Sequence, residues 1–116
     1  MTKQHVEKEE IERVLSIVKK YQPVQFKFTD WYWMRIRERQ IDHEFLLKTF
    51  AEFDKVRLIE EDILKHGDTG YDLYYELSGN QTLIIGVALK EKQLVFIHAI
   101  LRYRRWQSAL KVRRSR

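Results

Sequence analysis

The stretch that decides the fold is YDLYYELSGNQTLIIGVALKEKQLVFIHAIL, residues 71–101. Tyr71, Leu73, Tyr75 and Leu77 alternate with Asp72, Tyr74 and Glu76, the period of a strand whose successive side chains face opposite ways. Ser78-Gly79-Asn80-Gln81 reads as a tight hairpin turn. Leu83 to Leu89 and Leu94 to Leu101 are apolar on both faces, with Lys90-Glu91-Lys92-Gln93 turning between them. Continuous apolar runs mark central strands covered on both sides. Gly86 lies inside one of these runs, where a bulge or a close backbone approach is expected.

Upstream, Val56 to Leu64 holds one or two short extended pieces around Arg57-Leu58-Ile59, and His66-Gly-Asp-Thr-Gly70 is a loop. Together these segments predict an antiparallel meander of about four strands. Before it, Asp42 caps a helix from His43 to Phe53 with Phe45, Leu46, Thr49, Phe50 and Phe53 on its buried side. Thr29 or Asp30 caps another helix that runs through WYWMRIRERQ. Val24 to Thr29 alternates and predicts a half-buried strand with Val24, Phe26 and Phe28 on one face. Residues 3–21 predict a helix: Ile11, Val14, Leu15 and Val18 form one apolar stripe, and Pro23 ends it. The fold class expected is α+β: an N-terminal helix, a strand, two helices, then the sheet. The segmentation is an amphipathic helix over 1–22, an α+β body over 23–103 and a basic tail over 104–116.

The 116 residues contain no cysteine, which excludes disulfides, thiolate metal sites and cysteine nucleophiles and fits a reducing cytosol. The polar, charged segment MTKQHVEKEEIERV is not a secretory signal. The longest apolar run is too short for a membrane span, so a cytoplasmic protein with no membrane partner is expected. Abundant Lys, Arg and Glu with one proline would suit a thermophile.

Charge is segregated. Residues 102–116 hold seven of the 22 bases and none of the 17 acids, while the first 101 residues carry two more acids than bases. A cationic tail on a near-neutral body points to a polyanion: nucleic acid, RNA before DNA, or an acidic protein. The alternative is a solvated terminus. A homodimer through the N-terminal helix is a further expectation.

Three constellations carry possible chemistry. Arg35 and Arg39 lie one turn apart on a helix and would either clamp phosphate oxygens or pair with Glu38, Asp42 or Glu61. Among Trp31, Tyr32 and Trp33, which cannot all face one way, Trp33 is assigned to the core and Trp31 to base stacking. On the last strand His98, Ile100, Arg102 and Arg104 share a face, with Tyr103 and Arg105 on the other. His98 and Tyr103 would act as acid or base in RNA cleavage, with Arg102, Arg104, Arg57 and Lys90 supplying positive charge. The alternative is a hydrogen-bonded core histidine and solvated arginines. Arg104, Arg105, Lys111, Arg113 and Arg114 supply phosphate contacts. His5, His43, His66 and His98 are scattered, so no metal is expected, and no glycine-rich phosphate loop or other cofactor signature occurs.

The segment Phe28-Thr29-Asp30-Trp31-Tyr32-Trp33-Met34-Arg35-Ile36-Arg37-Glu38-Arg39-Gln40-Ile41 resembles the opening motif F-S-x-H-A-x-x-R-M-x-x-R-x-I of an uncharacterised family related to RelE/ParE-type toxins. Phe28, Arg35, Arg39 and Ile41 match, Thr29 stands for the serine and Ile36 for the methionine. Trp31 occupies the place of the family histidine. The resemblance covers residues 24–103. It implies a RelE-like fold and an activity directed at RNA on the ribosome or at gyrase, with fold alone transferring no chemistry.

Overall fold

A computed structural model describes residues 2–111. Three helices, α1 (Lys8–Val18), α2 (Asp30–Glu38) and α3 (His43–Phe50), lie against one six-stranded sheet. The strands are β1 (Lys3–His5), β2 (Phe26–Phe28), β3 (Val56–Ile63), β4 (Thr69–Ser78), β5 (Gln81–Leu89) and β6 (Leu94–Arg102), in the order β1-β3-β4-β5-β6-β2. The central four form the antiparallel meander expected from the sequence. Of the two added edges, β2 lies within the strand expected over Val24–Thr29, although its place beside β6 was not foreseen, and β1 was not expected at all. Residues 3–5 pair with Glu61 to Ile59 as an antiparallel strand instead of opening the first helix. Phe26–Phe28 pairs in parallel with Leu94–Phe96.

The helix reading of 3–21 fails at its start because His5 has a better use. Its ring is buried and Nε2 lies 2.8 Å from Glu61 on the neighbouring strand. The apolar stripe Ile11, Val14, Leu15 and Val18 is buried as expected. Val24 is a correction: it lies in a 3-10 turn, Pro23–Gln25, and is 91% exposed. Proline fixes the turn's start, so alternation begins only at Phe26. Phe45 is exposed too, since α3 buries only Leu46, Thr49 and Phe50.

Local chemistry sets the helix ends. Thr29 Oγ1 accepts from the Tyr32 N–H and Asp42 Oδ2 from the Phe45 N–H, both at 2.9 Å. At the end of α2 the chain turns through Gln40 at φ 55°, with Ile41 N–H on the Ile36 carbonyl and Gln40 N–H on the Arg37 carbonyl. That is the paired closure that satisfies the last carbonyls of a helix. It sends Ile41 into the core beside Ile36.

The main core lies between the helices and the sheet. An aromatic group anchors it: Phe26, Phe28, Tyr32 and Phe50 surround Phe96 at centroid distances of 4.8–6.2 Å. A smaller cluster lies on the opposite face. There Leu58, Tyr74 and Ile84 are covered by Trp106, Ala109 and Leu110. The chain after β6 therefore crosses the open face of the sheet as a strap. Gln4 on β1 receives it: its Nε2 donates to the Ala109 carbonyl at 2.8 Å and its Oε1 accepts from the Lys111 N–H at 2.9 Å.

Buried tyrosines tie these layers together. Tyr75 donates to the Phe50 carbonyl at 2.7 Å, Tyr74 to Glu60 Oε1 at 2.7 Å, and Tyr32 shares a 2.8 Å hydrogen bond with His43 Nδ1. Burial pushes all three hydroxyls above their ordinary value of 10.0. The unfolded chain would ionise them near that value while the fold keeps them neutral. Stability is therefore full below pH 10 and falls as pH rises beyond it. Denaturant midpoints at about pH 8 and about pH 11 should differ accordingly, and Tyr32→Phe with Tyr74→Phe should flatten the decline.

Candidate nucleic-acid interface

The open face of the sheet carries two regions of opposite charge. Near one end a recess of about 210 Å³ is lined by Thr2, Glu60, Asp62, Asp72, Gly86 and His98, among others. His98 Nε2 lies 3.2 Å from Asp72 Oδ1. The two come from strands flanking β5, and they meet because Gly86 between them has no side chain. A Cβ there would overlap His98 Nε2 and stand 2.9 Å from Asp72 Oδ1. The Thr2 hydroxyl and the Ile63 N–H hold the Asp62 carboxyl below the usual carboxylate range. No Lys or Arg lines this recess. A phosphate placed against His98 would face carboxylates.

Gly86→Ala should cost about 1–3 kcal/mol through this overlap. Combining it with His98→Ala should recover most of the loss, because the ring that clashes is gone. Urea denaturation of both variants checks this. Equal losses would place the strain elsewhere.

At the other end, Arg102, Arg104 and Arg105 line a shallow recess beside Trp106 and Thr82. All three are exposed, and Tyr103 between them is 77% exposed. Among the described residues none of the three guanidiniums has an ion-pair partner. The Thr82 hydroxyl donates to the Arg104 carbonyl at 2.8 Å, and the strap's contacts beneath Trp106 fix the turn. The backbone is thus held while the cationic side chains stay in solvent.

The residues proposed for cleavage do not converge. His98 lies in the acidic recess. Arg102 shares its face of β6 but is four residues on, about 13 Å at strand rise. Arg57 is the extra residue of a bulge between Val56 and Leu58; its Nε donates to Glu76 at 3.1 Å and its Nη1 to the Asp54 carbonyl at 2.6 Å. Lys90 pairs with Asp68.

The α2 arginines are also engaged. Arg35 pairs with Glu38 at 3.1 Å and stacks 3.9 Å over the Trp31 ring. Arg39 Nη1 donates to the Ala99 carbonyl at 2.8 Å, joining α2 to β6. Trp31 is 46% exposed with one ring face under that guanidinium. The core aromatic of the trio is Tyr32; Trp33 is half-exposed and leans on Phe28 and His43. Lys111 is exposed at the end of the strap. Arg113 and Arg114 lie outside the described residues.

Sequence reasoning missed three contributors: Asp72 as the partner of His98, Trp106 as the strap's anchor and Gln4 as its clamp. Among the described residues no group of three His, Asp or Glu is placed to hold a metal, and no helix is long and apolar enough to cross a membrane. No family model matches the chain, and no curated protein or solved structure is detectably similar to it.

Proposed function

We propose that this protein binds single-stranded RNA through the corner formed by Arg102, Tyr103, Arg104, Arg105 and Lys111. The observation that carries the reading is the run of three exposed guanidiniums without carboxylate partners among the described residues, set around one exposed ring. Guanidiniums grip phosphate oxygens bidentately, and a free aromatic face stacks on an unpaired base for about 1–3 kcal/mol. Single strands suit this arrangement because their bases are accessible. In a duplex the bases are paired and stacked and show only their groove edges, so the exposed ring of Tyr103 would find no unpaired base to stack on.

The RelE-like relationship belongs to the same proposal. The order helix, strand, two helices and antiparallel meander supports it, as does the motif from Phe28 to Ile41. Cleavage is not part of it. His98 is separated from the arginines and surrounded by acids, so a general acid–base pair at a phosphate is not assembled.

The test is fluorescence anisotropy with a labelled single-stranded RNA and a DNA duplex at about 50–200 mM salt. Saturable binding of the RNA that weakens linearly in log salt is expected, with the duplex weaker and the RNA intact afterwards. Absence of binding at the lowest salt, or affinity indifferent to salt, sinks the reading.

A further inference from the structure

The helical layer does not close over the β2 end of the sheet. Between the end of α1 and α3 lies a cavity of about 400 Å³. Phe26, Phe28, Phe50 and Phe53 line it with Val18 and Leu47. A volume of this size falls within the range of small-molecule sites, which are mostly apolar with a few polar groups fixing orientation. Phe26, Phe28, Leu47 and Phe53 all remain partly exposed although they pack against the core. The cavity is what leaves them so.

Its charge is one-sided. No lining residue is acidic, and Lys19 is the single charged one. The Lys19 ammonium lies 5.3 Å from the centre of the Phe53 ring, which puts it at the rim. Among the described residues no carboxylate pairs with it. An apolar, ring-lined cavity with one cation at its mouth complements a ligand with a hydrocarbon body and a single anionic head.

We propose that this cavity binds an apolar monocarboxylate, with the hydrocarbon against the phenylalanine rings and the carboxylate at Lys19. The site shares no residue with the arginine corner and does not depend on the RNA reading.

The experiment is calorimetric titration of the full chain with octanoate and, separately, with octan-1-ol. Octanoate should bind one to one. Lys19→Gln should weaken octanoate about tenfold and leave octan-1-ol unchanged, since only the former has a charge to lose. Ala51→Trp is the second variant. Ala51 is exposed and lines the cavity, so the indole fills the space without entering the core. It should abolish binding of both ligands and leave RNA affinity as it was. Lack of a saturable heat with octanoate overturns the proposal. So does octanoate binding that survives Ala51→Trp or ignores Lys19→Gln.

Discussion

Replacing Arg102, Arg104 and Arg105 together by glutamine is expected to lower affinity for single-stranded RNA about 100-fold at about 0.1 M salt. The figure follows from counterion release. Each neutralised phosphate on a single strand contributes about 0.7 to the slope of log affinity against log salt, so three contribute about 2. The slope itself should therefore fall by about 2, a second readout that a loss of folding would not mimic. Folding should hold, because exposed side chains without partners change stability by within about 0.5 kcal/mol when replaced. Arg35→Gln is the matched control. Its guanidinium is committed to Glu38 and the Trp31 ring, so its loss should alter affinity by less than about twofold. Equal losses from Arg35→Gln and from the triple variant would mean that net charge, and not the corner, drives binding.

The acidic recess is set apart from the arginine corner. It lies on the same face of the sheet as the arginine corner, about 13 Å away along β6, somewhat beyond a Debye length of about 8 Å at physiological salt. At that separation salt largely screens the carboxylates from the guanidiniums, so each region keeps its own field. The charge segregation seen along the chain is thus also a segregation across one face.

The meander was legible because its three connections are marked and its long strands read either as an alternating run or as a continuous apolar one. The position of His98 was legible as a face, but its partner was not. Counting back from the turn at Ser78–Gln81 places Asp72 opposite Val87, and counting from the turn at Leu89–Leu94 places Val87 opposite Phe96. Two bulges change this. The register shifts at Leu77 and again at Ile97, and the shifts together bring Asp72, Gly86 and His98 into line. A bulge adds one residue without altering the apolar pattern enough to show. Gly86 was the one visible trace, and it marked both a bulge and a close approach. The edge strand β1 escaped for a different reason. Three residues are too few to display alternation, and Lys3–His5 pairs with a strand more than fifty residues away. The strap was hidden for the same cause: Trp106 follows a run of arginines, and its contacts are with Leu58, Tyr74 and Ile84, far upstream. The exposed run of arginines after β6 needs only local sequence to be noticed, whereas the surroundings of His98 need long-range register.

Phe96→Ala should cost about 3–5 kcal/mol, the range for emptying a buried aromatic position. Phe96 is fully buried, and its ring touches Phe26, Phe28, Tyr32 and Phe50 at once. Those four come from β2, α2 and α3, so one side chain joins both helices and the edge strand to β6. Against a typical stability of about 5–15 kcal/mol, this loss would leave a small domain marginal. Trp33→Ala provides the contrast. Its ring is 39% exposed and sits at the margin of the same cluster, so its cost should be well below that of Phe96→Ala. Denaturant titration of both variants gives the comparison. The larger loss should also release α2, because β6 holds that helix through Phe96 on one side and through Arg39 on the Ala99 carbonyl on the other. Amide exchange would show this directly: Trp33 to Ile36 should lose protection in Phe96→Ala before β4 and β5 do. A loss below about 1 kcal/mol would mean that the aromatic group repacks around the vacancy and that the helices are held mainly by α1 and the sheet's other half.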